Sequence, residues 1–374
     1  MEMTGLQMEE AIVEARLAMG LTHPNPAVGA VIAHRGETVA RGRTQAAGQD
    51  HAEIVALKHF AKSGLVPDES TVLTVTMEPC STVGRTGACT QAIIDSGIQT
   101  VVIGSVDPNP VHAGRGIELL KEAGLKVIDG VMSEECSELN LIFNWRMEHG
   151  EPFFAAKVAT TLDGRIATRG GLSKWITGPE SRRDVHQLRR YYPAIAVGAG
   201  TVLADDPSLS IRIEGSPEEC PIRFIFDRHL VTFRGGQHQV YSDNWKDRTI
   251  VVTSDQHADK IKRIQKSHSV KFWMLPDGSE DNGLGEFSRR CQDGQIDGVL
   301  IEGGAQLLSS FLKQKLIHYL YSYRAPKLLA DTTGLAPFTG QEPISMQETI
   351  RLEHVKHACF GDDQLMRGFV VYPD

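Results

Sequence analysis

The sequence has little cysteine, no long apolar run and no block of charge of one sign. Six cysteines in 374 residues argue against a disulfide framework, so a cysteine cluster would indicate metal binding or simple burial. No segment approaches the roughly 20 apolar residues of a membrane helix. The N-terminal segment MEMTGLQMEEAIVEARLAMG predicts an acidic amphipathic helix rather than a secretion signal. We therefore expect a cytoplasmic protein that does not bind membranes.

The charged residues are evenly mixed, since 39 Lys and Arg against 47 Asp and Glu give a formal charge of −8. This balance argues against an extended nucleic-acid surface, although a local basic cluster could hold a small phosphate. The length of 374 residues suits two domains, each with its own core.

Strand-like Val/Ile runs alternate with helical segments through both halves of the chain, which predicts an α/β fold with helices on the faces of a sheet. The segment SEECSELNLIFNWRMEHGEP predicts one helix that runs into a polar break. Strands begin again directly after it, in FFAAKVATTLDG and AIAVGAG. We therefore place the domain boundary near Gly150 and expect domains over residues 1–148 and 149–374.

Four residues of the first half point to metal chemistry. His51 and Glu53 begin a helical pattern, and Cys80 and Cys89 lie in one loop between a strand and a helix. Each pair alone is a weak signal, because a satisfied histidine or a buried cysteine is ordinary. Together, one His and two Cys form a three-ligand zinc site with an open fourth position. A nearby carboxylate can then move a proton from water to a leaving amine, as in zinc nucleobase deaminases.

Longer motifs resemble one enzyme family. HPNPAVGAVI, HAE, EPC, GRTGAC, DPNP and GRGI are similar to the deaminase half of the bifunctional riboflavin-biosynthesis deaminase/reductases, and KVATTLDGRIA, SKWITG, VGAGTVLADDPSLSIR and VLIEGGAQLL are similar to their reductase half. The resemblance implies a cytidine-deaminase-like three-layer α/β/α domain followed by a dihydrofolate-reductase-like α/β domain. It also implies zinc-dependent deamination of a ribosylaminopyrimidinone phosphate, and then reduction of the ribosyl group to ribityl by NADPH.

The resemblance assigns roles by matching position. It makes His51, Cys80 and Cys89 the zinc ligands and Glu53 the proton shuttle. It implies NADPH contacts from Ala159, Trp175, Thr201, Asp205 and Gly304. It implies substrate contacts from Asn25 in the deaminase half, and from Ser173, Arg189, Leu209, Arg212 and Glu302 in the reductase half, with Lys157 and Asp163 ordering the reductase site. A homo-oligomer is the expected assembly, with a small-molecule substrate and no nucleic-acid partner.

Ordinary structural roles are alternatives for several of these residues. Asn25 lies between two prolines and is typical of a turn. The segment SRRDVHQLRR is typical of a solvated helix face, and the sequence Asp205-Asp206-Pro207 is typical of a turn or cap. Trp175 would more often pack in a core than beside a cofactor.

Phosphate recognition in the second half needs a site other than a Rossmann loop, because no GxGxxG occurs. The strand-turn-helix pattern VLIEGGAQLL is the better candidate, since Gly303 and Gly304 let a ligand approach the backbone at a helix N-terminus. If the family interpretation holds, Arg189 and Arg212 are the favoured ligands of the substrate phosphate, because guanidinium groups match phosphate oxygens.

The chain also departs from the family pattern near the zinc motif. Thr44 and Thr82 stand where relatives carry histidine, and Asp50, Gly87 and Ala88 stand where they carry proline. The zinc ligands and Glu53 are retained, so a paralogue acting on a related pyrimidine phosphate in a secondary-metabolite pathway is an alternative. A scaffold with structural zinc and a protein with one active domain are further alternatives, whereas a nucleic-acid deaminase does not fit the acidic composition.

Overall fold

The computed structural model describes residues 2–81, 88–235, 237–266, 270–278, 281–340 and 343–373. Two of the departures from the family pattern, Thr82 and Gly87, lie outside the described residues. The chain divides into two compact units, Met1–Glu151 and Pro152–Asp374. Among the described helices, none has both the length and the apolar character needed to span a bilayer.

Unit 1 alternates strands and helices. Its elements are α1 Glu2–Ala18, β1 Gly29–His34, β2 Glu37–Arg43, α2 Ala52–Lys62, β3 Val72–Met77, α3 Cys89–Asp95, β4 Thr100–Ser105, α4 Arg115–Glu122, β5 Lys126–Ile128, α5 Ser133–Glu138 and α6 Leu141–His149. The strands form one sheet in the order β2-β1-β3-β4-β5. Strand β1 is antiparallel to both of its neighbours, whereas β3, β4 and β5 are parallel.

Both faces of the unit 1 sheet are covered by helices because successive residues of β1 point to opposite sides. Ala30 and Ile32 pack with the apolar residues of α2, α3 and α4. Val31 packs with the apolar residues of α1 and with Cys136 of α5. The helices therefore form layers above and below the sheet, which gives the expected three-layer α/β/α arrangement.

The single helix predicted for the end of unit 1 is instead two helices, α5 and α6. The break falls at Asn140, which is buried and non-helical, with φ −130° and ψ 37°. Its side-chain amide donates to the backbone oxygen of Ala27 and accepts from the backbone nitrogen of the same residue, at 3.0 and 2.7 Å. These bonds fix the backbone just before β1, a long-range contact that the helical pattern did not reveal.

Unit 2 is built on a larger sheet. Its elements are β6 Phe153–Thr160, α7 Pro179–Tyr191, β7 Ala194–Gly198, α8 Ala199–Asp205, β8 Ile222–Phe226, α9 Gln239–Ser242, β9 Thr249–Ser254, α10 Ala258–Gln265, β10 Lys271–Leu275, α11 Leu284–Asp293, β11 Gly298–Glu302, α12 Ala305–Lys313, β12 Tyr319–Arg324, β13 Arg351–Phe360 and β14 Asp363–Val371. The order is β10-β9-β8-β7-β11-β6-β12-β14-β13. The first seven strands in this order, from β10 through to β12, are parallel to their neighbours. Strand β14 is antiparallel to both β12 and β13.

The strand β13 was not predicted, although its partner β14 was expected from RGFVVYP. It is the edge strand of the sheet and exposes most of its residues, so its sequence RLEHVKHACF lacks the apolar alternation of a half-buried strand. The interior parallel strands were predictable because they are buried on both faces, as in β7 and β11. The carboxyl ends of these strands meet at one edge, where open α/β sheets bind ligands.

Candidate active sites

The three predicted zinc ligands of unit 1 come together in the structure. His51 is the residue before α2, Cys89 is the first residue of α3, and Cys80 follows β3 by three positions. Their ligand atoms all lie within 4.8 Å of one another. They are the only such His/Cys/Asp/Glu group among the residues that the structure describes.

The spacing of these atoms fits a tetrahedral zinc ion. Nδ1 of His51 lies 3.6 Å from Sγ of Cys80 and 3.3 Å from Sγ of Cys89. Zinc bonds of about 2.0 Å to nitrogen and about 2.3 Å to sulfur give a tetrahedral N–S edge of about 3.5 Å. The backbone N–H of Cys89 also donates to Sγ of Cys80 at 3.4 Å, which favours a thiolate there. The donor set and its dimensions therefore suit zinc with one position open.

The surroundings of this site favour the thiolate form of Cys80 and a carboxyl group on Glu53 that can carry a proton. A hydrogen bond from Cys89, assisted by His51, outweighs burial and lowers the pKa of Cys80 to about 4. Glu53 is the second residue of α2 and only 3% exposed, and this burial raises the pKa of its carboxyl group to about 7. A carboxyl group with such a pKa can both accept and release a proton near neutral pH.

A buried acid next to the zinc ligands was missed in the sequence. The carboxylate of Glu78, two residues before Cys80, accepts hydrogen bonds of 2.7 to 3.2 Å from four backbone N–H groups, those of Asp107, Gly114, Gly116 and Ile117. Glu78 therefore holds the loop after β4 and the start of α4 against the segment that leads to Cys80. Gly116 has to be glycine, because a Cβ there would lie 2.2 Å from the backbone oxygen of Pro79.

Glu78→Gln is expected to destabilise unit 1 by about 2–4 kcal/mol, because an amide nitrogen would face backbone donors in place of one carboxylate oxygen. Thermal unfolding of the full chain measures this loss. Glu69→Gln is the matched control, since Glu69 is exposed and its substitution should change stability by less than about 0.5 kcal/mol. Equal stability of the two variants would show that the Glu78 clamp is energetically unimportant.

The remaining predicted positions of unit 1 have local structural contacts. Asn25 is half-buried in a turn, in which its N–H donates to the backbone oxygen of Thr22 at 2.9 Å. The hydroxyl of Thr44 accepts from the N–H of Val28 at 3.1 Å and so joins the end of β2 to the approach to β1. Asp50 forms an ion pair with Lys58. The substrate contact of Asn25 stays a prediction.

In unit 2, one cleft of about 1390 Å³ opens at the carboxyl ends of β6, β7, β8, β9 and β11. Every residue predicted for cofactor or substrate binding in this half lines it, namely Ala159, Ser173, Trp175, Arg189, Thr201, Asp205, Leu209, Arg212, Glu302 and Gly304. The volume is large enough for a dinucleotide together with a sugar phosphate. Trp175 is 64% exposed, so the alternative of core packing for this residue is wrong.

A buried charge cluster forms one wall of the cleft. Arg189 of α7 donates two hydrogen bonds to the carboxylate of Glu302, at 2.6 and 3.1 Å, and Nζ of Lys157 lies 3.8 Å from the same carboxylate. Burial alone would raise the pKa of Glu302, but Arg189 and Lys157 outweigh it and hold that pKa below its usual value. Arg189 is therefore not part of a solvated helix face, and its paired guanidinium is less available to a phosphate than we expected.

The loop between α8 and β8 continues this wall, because Arg189 also donates to the backbone oxygen of Ser210 at 3.1 Å. Leu209 has φ 56° and is buried, while the exposed guanidinium of Arg212 donates to the hydroxyls of Ser208 and Ser210 at 2.9 and 3.4 Å. Arg223, which the sequence analysis missed, is fully buried and donates to the backbone oxygen of Ser208 at 2.8 Å. An arginine inside the apolar strand PIRFIFD was the available signal, because a buried charge needs a partner.

The glycine turn before α12 lines a further part of the cleft, whereas Asp163 lies outside the lining. Gly303 and Gly304 have φ 72° and 78°, values that favour glycine, and they precede α12. The carboxylate of Asp163 accepts from the hydroxyl of Thr161 and from the N–H groups of Leu329 and Ala330, and these bonds lower its pKa to about 2. Asp163 thus joins two loops but does not itself line the cleft, so its expected ordering role in the reductase site stays a prediction.

Comparison with known proteins places both units in one family. A model of the cytidine and deoxycytidylate deaminase zinc-binding region matches residues 1–105, and one of the RibD C-terminal domain matches residues 152–366. Riboflavin biosynthesis protein RibD of Actinobacillus pleuropneumoniae is 36% identical over 366 residues, which cover 98% of this chain and 95% of that protein. RibD of Aquifex aeolicus is 35% identical over 356 residues, 95% of each chain. The chain belongs to the RibD family.

Solved structures agree with this RibD assignment. The crystal structure of a diaminohydroxyphosphoribosylaminopyrimidine deaminase/5-amino-6-(5-phosphoribosylamino)uracil reductase from Thermotoga maritima has a TM-score of 0.80 and 35% identity, covering 100% of this chain and 99% of that chain. Acinetobacter baumannii RibD has a TM-score of 0.77 and 30% identity, covering 99% of each chain. The expected two-domain α/β fold, the pairing of a zinc-binding deaminase with a reductase, and the cofactors zinc and NADPH are confirmed by RibD family membership.

Proposed function

We propose that the chain catalyses two successive steps of riboflavin biosynthesis. The deaminase, which we assign to residues 1–148, acts on 2,5-diamino-6-ribosylamino-4(3H)-pyrimidinone 5′-phosphate. The reductase, assigned to residues 149–374, then uses NADPH to convert the ribosyl group to ribityl. The observation that carries the proposal is that a His/Cys/Cys set with a buried glutamate and a dinucleotide-sized cleft occur in one chain, which is 35% identical to a Thermotoga maritima protein described as both deaminase and reductase.

In the deaminase, His51, Cys80 and Cys89 would hold zinc, which lowers the pKa of a water molecule and so supplies a nucleophile at neutral pH. Glu53 accepts the proton of that water and delivers it to the departing amine. Its burial supports this role, because a pKa of about 7 lets the same carboxyl group act as base and then as acid. We assign Asn25 to hydrogen bonding of the pyrimidine.

In the reductase, this chain's residues bind and orient two ligands for hydride transfer. We assign Ala159, Trp175, Thr201, Asp205 and Gly304 to NADPH. We assign Ser173, Arg189, Leu209, Arg212 and Glu302 to the substrate. Arg212 is placed on the phosphate because its guanidinium is exposed and donates to the hydroxyl oxygens of Ser208 and Ser210. The Arg189–Glu302 pair presents fixed charges to the sugar or the ring.

The assembly and location of the protein are also proposals. The acidic composition supports a protein without nucleic-acid partners, and membership of the family supports a cytoplasmic homo-oligomer. Size-exclusion chromatography with light scattering measures the subunit number directly.

A coupled assay tests the two activities together. Zinc-loaded protein is incubated with the ribosylaminopyrimidinone phosphate, with and without NADPH, while ammonia release and NADPH absorbance are followed. We expect ammonia release in both cases and NADPH oxidation only after deamination. If one zinc is bound per chain but neither signal appears, the favoured function becomes that of a paralogue acting on a related pyrimidine phosphate.

A further inference from the structure

His186 lies on α7 at the wall of the reductase cleft, one helical turn before Arg189. It is half-buried, and it has no role in the function proposed above. The backbone N–H of Arg212 donates to its Nδ1 at 3.2 Å. In the neutral ring the proton is therefore on Nε2, which is the one N–H donor of this cleft-lining residue.

The charges around His186 favour an anion. Arg189 and Lys157 share the single negative charge of Glu302, so this cluster carries an excess positive charge. Arg212 adds another, because no carboxylate among the described residues forms an ion pair with it. A dianionic phosphate between α7 and the Arg212 loop would neutralise this excess and accept hydrogen bonds from both sides.

We infer that His186 is a specificity-determining residue of the reductase, in which its neutral imidazole donates a hydrogen bond from Nε2 to the phosphate of the ribosyl phosphate, next to Arg212. This inference rests on the proposed function for the identity of the sugar phosphate. It extends that function by adding a neutral hydrogen-bond donor to a phosphate site that otherwise consists of arginine. The neutral donor supplies direction, whereas Arg212 supplies charge.

The groups that face His186 explain why the ring stays neutral. Burial, with the positive charges of Arg189 and Arg212, lowers the pKa of His186 to about 4, against smaller raising effects of Glu302 and the backbone of Ser210. The contribution of His186 to phosphate binding should therefore not change between pH 7 and 9, where a sugar phosphate is a dianion.

Equilibrium binding of ribose 5-phosphate to the full chain tests the inference without requiring turnover. Dissociation constants are measured by calorimetry with saturating NADP⁺, for ribose 5-phosphate and for ribose. His186→Leu removes the donor, His186→Gln keeps an N–H donor, and His357→Leu is the matched control on the exposed edge strand β13.

We expect His186→Leu to weaken ribose 5-phosphate binding by about tenfold, while ribose binding, His186→Gln and His357→Leu stay within about twofold of the parent. The same ratio between parent and His186→Leu is expected at pH 7 and pH 9. Unchanged binding in His186→Leu overturns the inference, as does an equal loss for ribose. A ratio that falls towards one at high pH would show that the ring binds as a cation, which also overturns it.

Steady-state reduction of the deaminated substrate separates the inference from the proposed function. If the proposed reductase function and the role of His186 are both correct, the KM of His186→Leu rises while its kcat stays nearly constant. A parent protein that binds ribose 5-phosphate through His186 but never oxidises NADPH would contradict the proposed reductase and leave the phosphate site established. A parent that reduces the substrate, with KM unchanged in His186→Leu, would contradict only the role of His186.

Discussion

Replacing Glu53 by glutamine is expected to slow ammonia release by about a thousandfold while the protein keeps its zinc. The amide has nearly the shape of the carboxyl group, so the ligands His51, Cys80 and Cys89 stay in place. It cannot accept the proton of the attacking water or return one to the departing amine. The two measurements are ammonia release from the ribosylaminopyrimidinone phosphate and zinc content by atomic emission.

The controls for Glu53 separate catalysis from structure. Glu69→Gln changes an exposed acid of the same unit and should release ammonia at the parental rate. NADPH oxidation by Glu53→Gln should be normal when the deaminated intermediate is supplied, because unit 2 is untouched. If Glu53→Gln keeps both zinc and full deamination, the zinc is structural and the deaminase mechanism is wrong.

Replacing Glu302 by alanine is expected to lower the stability of unit 2 by about 3–5 kcal/mol, because Arg189 and Lys157 would be left buried without their shared negative charge. NADPH oxidation with supplied intermediate should be lost, since this cluster forms one wall of the cleft. Denaturant unfolding followed by tryptophan fluorescence reports mainly on this unit, which holds three of the four tryptophans. Deamination should continue at the parental rate.

The matched control is Glu286→Gln on α11. Glu286 also pairs with two arginines, Arg289 and Arg290, but these pairs lie at the surface, where an ion pair contributes less than about 1 kcal/mol. A Glu302→Ala protein as stable as Glu286→Gln would refute the importance of the buried cluster.

The cluster of Arg189, Lys157 and Glu302 also makes the free energy of unfolding fall as the pH is lowered. Because the folded-state pKa of Glu302 lies below the ordinary glutamate value of about 4.5, its carboxylate stabilises the folded state above about pH 4.5. This contribution is lost as the pH falls through the lowered folded-state pKa. The parent should therefore lose stability on acidification more steeply than Glu302→Ala.

The zinc centre was predictable because its signals are local. His51 and Cys89 each begin a helix, and helix starts can be read from a few neighbouring residues. The distances within the ligand set and the burial of Glu53 could be learned only from the structure. The approach of Cys80 to His51, 29 positions earlier, depends on β2 and β3 running in the same direction on either side of β1.

Long-range polar pairs could not be read from the sequence. Glu78 binds backbone groups about 29 to 39 positions later, and the Arg189–Glu302 pair spans 113 positions. Neither residue type nor spacing specifies such a partner. For this reason the sequence analysis placed Arg189 on the phosphate, whereas the structure shows its guanidinium paired with a buried acid.

The packing of unit 1 also bears on how metal enters it. Helices α2 and α3 are held to the sheet by an apolar cluster that includes Ala52, Phe60 and Ile93 and none of the zinc ligands. In zinc fingers the metal has to provide the free energy of folding, but here apolar packing closes the long loops between the ligands. We therefore expect zinc to enter a site whose surrounding structure is already folded, so that metal can be removed and restored without unfolding the chain.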